Sequence, residues 1–174
     1  MTGSGNLIGV GQRHVEILWN PISTNHPVLT SDRIKLSEWD HVTLLIHFGA
    51  IASGLDSDIT VVASDADSTT HQATLATIRY RLKKSTAAWG EMTSVTDSKI
   101  DIVAGGEIVP STDDNCVLAI EIDTAEILAL SSTYDMDWLY VNISDGGAYA
   151  YVSSAVAVFS KGRFMTDPPL SQLA

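Results

Sequence analysis

Cysteine, basic residues and long apolar runs are all scarce in this 174-residue sequence, and each scarcity excludes a class of protein. A single cysteine, Cys116, excludes an intrachain disulfide framework. It opens the apolar run CVLAIEID, so we expect a buried structural thiol and not a reactive one. No apolar run approaches the roughly 20 residues of a membrane-spanning helix. The N-terminal sequence lacks the basic start and apolar core of a secretory signal, so none is expected.

The charge balance is strongly acidic: 10 lysines and arginines stand against 21 aspartates and glutamates, for a formal net charge of -11. Proteins that bind nucleic acid normally carry the opposite sign, because contacts to phosphates supply most of their affinity. Direct nucleic-acid binding is therefore not expected. A content of 45% hydrophobic and 18% charged residues argues against disorder and favours one domain with a substantial core.

Short stretches in which apolar and polar residues alternate are frequent, and turn-forming residues separate them. In HVTLLIHFG one strand face would carry Val42, Leu44, Ile46 and Phe48. There are about eight such stretches, no repeat, and one capping-box sequence at 123–126 that predicts one or two helical turns. The pattern predicts an all-β fold: an antiparallel β-sandwich or jelly-roll-like domain with at most short helical turns.

The two ends of the chain differ from the middle. Residues 1–14 are glycine-rich without periodicity, which predicts a flexible N-terminal arm. The β-sandwich is expected over 15–165. An extended C-terminal tail is expected over 166–174, because Pro168 and Pro169 exclude a helix there.

The stretch WLYVNISDGGAYAYVSSAVAVFSKGRF, residues 138–164, contains Asp145-Gly146-Gly147, which predicts a hairpin turn between two strands. The second strand is apolar or small on both faces. A strand with one face in water alternates, and this one barely does. The question is what covers its second face.

Candidate residues for chemistry are scattered. His41 and His47 share a strand face but lie about 20 Å apart, and the other three histidines lack zinc-ligand spacing. Asp65-Ala66-Asp67 begins like a calcium loop without the glycine and glutamate that complete one, so Asx turns are the simpler interpretation and calcium binding stays open.

No nucleophile elbow and no nucleotide-binding loop is present. We therefore expect no enzyme, no cofactor, and no catalytic or metal-binding residue. Paired carboxylates of a glycosidase stay open, because such pairs meet only in the folded chain.

Two side-chain groups allow alternative interpretations. The aromatic side chains could form a sugar-stacking platform, or they could fill the core and anchor protein interfaces. They are Trp19, Trp39, Trp89, Trp138, Tyr149 and Tyr151. The basic stripe, which we define as Arg79, Arg81, Lys83 and Lys84, either protects an edge strand from aggregation or docks on an acidic partner surface.

The C-terminal third resembles small virion structural proteins of tailed bacteriophages. The similar runs are CVLAIEIDTAEILAL and DWLYVNISDGGAYAYVSSAVAVFSKGRF, followed by a short proline-containing ending. Upstream, RIKLSEWDHVTLLIHFGAIAS and ITVVASDADSTT are similar to the paired strands that these proteins carry early. The resemblance spans residues 30–164, as an ordering of strands and turns, and favours the capsid decoration, or cement, class.

This resemblance implies a non-enzymatic protein that is made in the host cytoplasm and binds the outer surface of the assembled head. Its partners would be itself, as a homotrimer, and the major capsid protein, with no membrane. A neighbouring copy would cover the second face of the double-sided strand. The predicted oligomer interface is Tyr149, Tyr151, Ala155, Ala157 and Phe159. The predicted docking residues are Arg79, Arg81, Lys83, Lys84, Pro168, Pro169 and Leu170.

Two other functions stay open: a neck, tail or fibre-associated virion protein, and a carbohydrate-binding β-sandwich module. An esterase or glycosidase ranks last.

Overall fold

A computed structural model describes residues 13–24, 28–66, 70–84, 87–144 and 151–162 of the chain. They form two six-stranded antiparallel sheets around one apolar core, which confirms the predicted β-sandwich. The strands of the first sheet, which we call the front sheet, are β1 (Arg13–Thr24), β4 (Trp39–Ile51), β7 (Ile78–Lys83), β8 (Thr93–Val95), β10 (Val117–Asp123) and β12 (Tyr151–Gly162). Their order is β1-β12-β4-β10-β7-β8. The strand β1 is thus one edge of the sheet.

The strands of the back sheet are β2 (Leu29–Thr30), β3 (Ile34–Lys35), β5 (Ser57–Ser64), β6 (Gln72–Thr74), β9 (Ile100–Ile102) and β11 (Trp138–Ile143). The order is β2-β11-β5-β6, with β3 also paired to β11 and β9 also paired to β5. The described ranges therefore contain twelve strands, where the sequence predicted about eight. Five of them have only two or three residues, which is too short to leave an alternating pattern.

The core lies between the two sheets and follows the alternation of the sequence. On β4 the predicted inward residues are all fully buried: Val42, Leu44, Ile46 and Phe48. From the back sheet, β5 and β11 contribute Ile59, Val61, Leu139 and Val141, which are also fully buried. Burial of side chains of this size contributes about 1.5–3 kcal/mol each.

The predicted hairpin over 138–164 is wrong. Its two strands lie in different sheets: β11 pairs with β5, whereas β12 lies between β1 and β4. The Asp145–Gly147 turn itself lies outside the described residues. A glycine-rich connection does not determine whether the next strand pairs with the previous one or crosses to the opposite sheet, so the sequence could not distinguish the two.

The predicted helical turn is present as α1 (Thr124–Leu128), directly after β10. The expected capping box is absent, because Asp123 makes no side-chain hydrogen bond to the start of the helix. Its carboxylate contacts His41 and Arg79 instead. In the described ranges, no helix is long and apolar enough to cross a bilayer.

The boundaries of the predicted arm and tail are only partly visible. The first strand begins at Arg13, so the last two residues of the predicted arm, 1–14, belong to β1. The rest of that arm and the predicted tail over 166–174 lie outside the described residues.

The thiol of Cys116 is buried directly before β10, as the sequence predicted. Burial raises its pKa to about 12, and the nearby Asp113 carboxylate adds to the increase. We expect the native protein at pH 8 to resist labelling by a thiol reagent, because both access and thiolate are lacking. Labelling should be complete once guanidinium chloride unfolds the chain. Equally fast labelling of native and unfolded protein would contradict this placement.

Candidate functional site

The outward face of the front sheet carries side chains in rows, because directly paired residues of neighbouring strands project to the same side. One row crosses five strands. Ile17 pairs with Val156, and Val156 pairs with Leu45. Leu45 pairs with Ala119, and Ala119 pairs with Arg81. The row is apolar from the edge strand β1 as far as β10 and ends in an arginine on β7.

The next row is apolar only on β1 and β12, and it is polar or charged on β4, β10 and β7. Val15 pairs with Val158, and Val158 pairs with Thr43. Thr43 then pairs with Glu121, which pairs with Arg79. The outward face is therefore apolar on β1 and β12, mixed on β4 and β10, and charged on β7.

We define the outer apolar patch as Val15, Ile17, Leu45, Val152, Val156 and Val158. Ile17 is 61% exposed, Val15 is 50% exposed and Val152 is 37% exposed. Leu45, Val156 and Val158 are half-buried. On this face Ser154 and its partner His47 lie between Val152 and the other five side chains. An exposed apolar surface on a sheet face is typical of a contact with another protein.

The predicted oligomer interface lies on the opposite side of β12 and is corrected here. The side chains of Tyr151, Ala155, Ala157 and Phe159 are buried in the core of the chain itself. They face the back sheet and offer no surface to a partner. Tyr149, the fifth predicted residue, lies outside the described residues. The strand does have a second apolar face, but it is the valine face.

A charged network occupies the other half of the outward face. The ring of His41 lies between two carboxylates: Nδ1 is 2.9 Å from Asp123 Oδ1 and Nε2 is 2.7 Å from Glu121 Oε2. Arg79 donates to Asp123 Oδ2 at 3.0 Å and to Glu126 Oε2 at 2.9 Å. The hydrogen bond with His41 and the Arg79 guanidinium hold the pKa of the Asp123 carboxyl below its ordinary value.

We expect Arg79→Gln to raise the pKa of Asp123 toward the ordinary aspartate value, because the mutation removes a hydrogen bond and a positive charge. With its lowered pKa, Asp123 stabilises the fold above its ordinary pKa, and this contribution is lost as pH falls through the folded-state pKa. Carboxyl chemical shifts followed by NMR between neutral and acidic pH measure the change. The matched control is Arg81→Gln on the same strand face. An equal shift in both variants would contradict the specific contact.

The four residues of the basic stripe have different roles in the structure. Arg79 belongs to the network above, and Lys84 Nζ lies 2.5 Å from Oδ1 of the buried Asp113. Within the described ranges, Arg81 and Lys83 form no ion pair. Only these two members of the stripe are thus available to a partner. The other predicted docking residues, Pro168, Pro169 and Leu170, lie outside the described part of the chain.

The tryptophans do not form a common platform. Trp19 is buried, and the ring of Trp39 lies 5.5 Å from that of Phe159. Lys35 Nζ lies over Trp138 at 5.7 Å from the ring centre. Trp89, which precedes β8, is 44% exposed. It lies beside β7, near the edge of the front sheet that is opposite β1. Open stacking on several neighbouring rings is not available here.

A local pair of a histidine and an aspartate occupies the calcium-like sequence. Nδ1 of His71 lies 2.6 Å from Asp65 Oδ2, and the His71 ring stacks on Tyr134 at 3.7 Å. The carboxylate of Asp65 in the calcium-like sequence therefore has a partner within the chain. Among the residues with described positions, no group of three or more His, Cys, Asp or Glu is arranged to hold a metal ion.

The contribution of β1 to this face was not predicted from the sequence. Val15 and Ile17 have the i, i+2 spacing of one strand face, and this spacing was the available signal. It was not informative alone, because nothing in the sequence indicated which face would remain open.

No protein-family model matches this chain, and no curated protein matches it either. Two solved structures show a weak likeness: those of the Gt and Gx strains of infectious bursal disease virus. They are 12% and 11% identical, with a TM-score of 0.27 in both cases. The matches cover 94% and 95% of this chain but only 44% and 45% of the viral chains, so this chain spans less than half of their length. Similarity at this level carries no argument about fold or function.

Proposed function

We propose that this chain is a non-enzymatic structural protein of a virion, and specifically a capsid decoration or cement protein on the outside of a tailed-phage head. The observation that carries the proposal is the outer apolar patch, which the other described residues of the chain leave exposed. A protein that works by being built into an assembly needs such a surface. The resemblance of residues 30–164 to small phage virion proteins supports the choice of assembly.

Attachment in this proposal uses several contacts of modest strength. The protein forms a homotrimer, and residues 1–12 and 166–174 of each copy reach the major capsid protein. The tail of nine residues could span about 30 Å when extended. A trimer held at several points gains avidity because each bound end raises the effective concentration of the others.

The acidic composition is compatible with this role. With a net charge of -11, copies repel each other at long range, so they associate only through specific complementary surfaces.

The test is to image heads assembled by the encoding phage without this protein, before and after addition of the purified chain. We expect added density on the outer surface near the local threefold axes. Deletion of 166–174 should lower the occupancy while the circular dichroism spectrum stays unchanged. Density confined to the neck, the tail or the fibres would replace the decoration role with the alternative virion role. Absence of binding to any part of the particle would refute both.

A further inference from the structure

We propose that the outer apolar patch, together with Arg81 and Lys83, is the surface on which a second copy of this chain docks. The inference deepens the proposed homotrimer by giving it a surface and a contact chemistry. It rests on the proposed function only for the number of copies, because self-association is measurable without any capsid.

The outer apolar patch is smaller than one side of a stable protein interface. The patch covers three neighbouring strands, spaced about 4.8 Å apart, over about seven residues of about 3.3 Å each, so it measures roughly 330 Å² in projection. Each partner in a stable protein interface contributes about 800 Å². A partner that buries the patch stably therefore covers neighbouring surface as well, and on this face the neighbouring strands are β10 and β7.

The basic side chains of the chain differ in whether a carboxylate of the same chain lies near them. The basic side chains of Lys35, Arg79, Lys84 and Lys99 each lie near a carboxylate of the same chain. Arg81 and Lys83, in contrast, have no carboxylate partner among the residues in the described ranges. They lie two residues apart on one strand face, so they repel each other. The surface that covers them must therefore bring negative charge.

A second copy of the chain meets this requirement. Each copy has 21 acidic against 10 basic residues, so it carries an excess of carboxylates. A face-to-face twofold contact that stacks β7 on β7 would place Arg81 and Lys83 opposite the same cations. A head-to-tail contact, with the outward face of one copy on an acidic surface of the next, avoids this. Head-to-tail contacts form a ring when the rotation between copies closes, and a trimer is such a ring.

The experiment is sedimentation equilibrium of the full chain over about a hundredfold range of concentration, at low and at high salt. We expect the native chain to self-associate. Ile17→Glu should weaken the association constant at least tenfold at both salt concentrations. The double variant Arg81→Glu with Lys83→Glu should weaken it mainly at low salt, because charge pairs are screened. The control is Val28→Glu, which charges an exposed apolar residue away from this face and should change nothing.

Each outcome supports or overturns the inference. Circular dichroism and unfolding curves first establish that the variants keep the fold. A native chain that stays monomeric throughout, or equal weakening by Ile17→Glu and Val28→Glu, overturns the inference. Association that appears only after deletion of 163–174 also overturns it, because the chain's own end would then cover the patch. Self-association without head binding would refute the virion role alone, and head binding by a strictly monomeric chain would refute only this inference.

Discussion

Replacement of Phe159 by alanine should lower the free energy of unfolding by about 3–5 kcal/mol. The side chain is fully buried, and its ring contacts that of Trp39 at a centroid distance of 5.5 Å. Truncation to alanine removes its favourable transfer from water and leaves a cavity that the two sheets cannot close. Urea denaturation followed by tryptophan fluorescence measures the change, and the loss should be the same at low and high protein concentration.

The matched control is Val158→Ala, the adjacent residue on the same strand. Its side chain points outward and pairs with Val15, so we expect a loss of less than about 1 kcal/mol in the isolated chain. The two variants separate the core face of β12 from its outer face. If Phe159 belonged to an interface between copies, its replacement would act mainly through dissociation, and the loss would then depend on protein concentration. Such a result would restore the original interface prediction.

The failure at β12 has a simple physical origin. Alternation identifies the buried face of a strand only when the other face is polar, as on β7, where Tyr80 is buried and Arg81 is exposed. On β12 both faces are apolar or small, so the pattern indicates that two surfaces are covered without indicating which one the chain covers itself. The larger ring of Phe159 was a hint that its face belongs to the core, because aromatic side chains bury the most area.

Sheet assignment was also beyond the sequence. Strand β4 could be predicted with its correct faces, but its neighbours β10 and β12 are distant in the chain. The predicted hairpin failed for the same reason, since pairing in a sandwich depends on which sheet a strand joins. Local turn residues say little about that choice.

The charged network shows the same limit for side chains. The spacing of Asp123 and Glu126 fits a capping box, which is a local pattern. In the folded chain both carboxylates contact Arg79, which is 44 residues from Asp123. The ring of His41, 82 residues from Asp123, adds a further contact. Long-range charge pairing has replaced the local cap, and no spacing rule could have predicted it.

Long-range ion pairs also divide the basic stripe into two paired and two unpaired residues within the described ranges. Arg79 and Lys84 were predicted to dock on a partner, but carboxylates distant in the sequence hold them within the chain. Arg81 and Lys83 form no ion pair within the described ranges, and their docking on a partner stays a prediction. An outward face with an apolar half and two available cations is a better description of a contact surface than a uniform stripe of positive charge.

The second large loss of stability is expected at Asp113, the ion-pair partner of Lys84. The side chain of Asp113 is fully buried, and its Oδ2 accepts a hydrogen bond from the Val109 N–H at 2.9 Å. The Asp113 carboxylate thus holds a turn over residues 109–113. The next residue, Asp114, supports the end of β4, because its Oδ1 accepts a hydrogen bond from the Ile51 N–H at 2.9 Å. Loss of the Asp113 carboxylate therefore affects both the turn and the adjacent strand end.

We expect Asp113→Ala to lower the free energy of unfolding by about 3 kcal/mol, because a buried N–H loses its acceptor and the ion pair is lost. Lys84→Met should cost about 1–2 kcal/mol, since the carboxylate stays buried without its cation while water reaches the half-exposed lysine site. The control is Lys83→Met, which should change stability by less than about 0.5 kcal/mol. Urea denaturation curves of the three variants compare these values. If Lys84→Met and Lys83→Met are equally harmless, Lys84 is free to serve a partner after all, and the internal role assigned to it here is wrong.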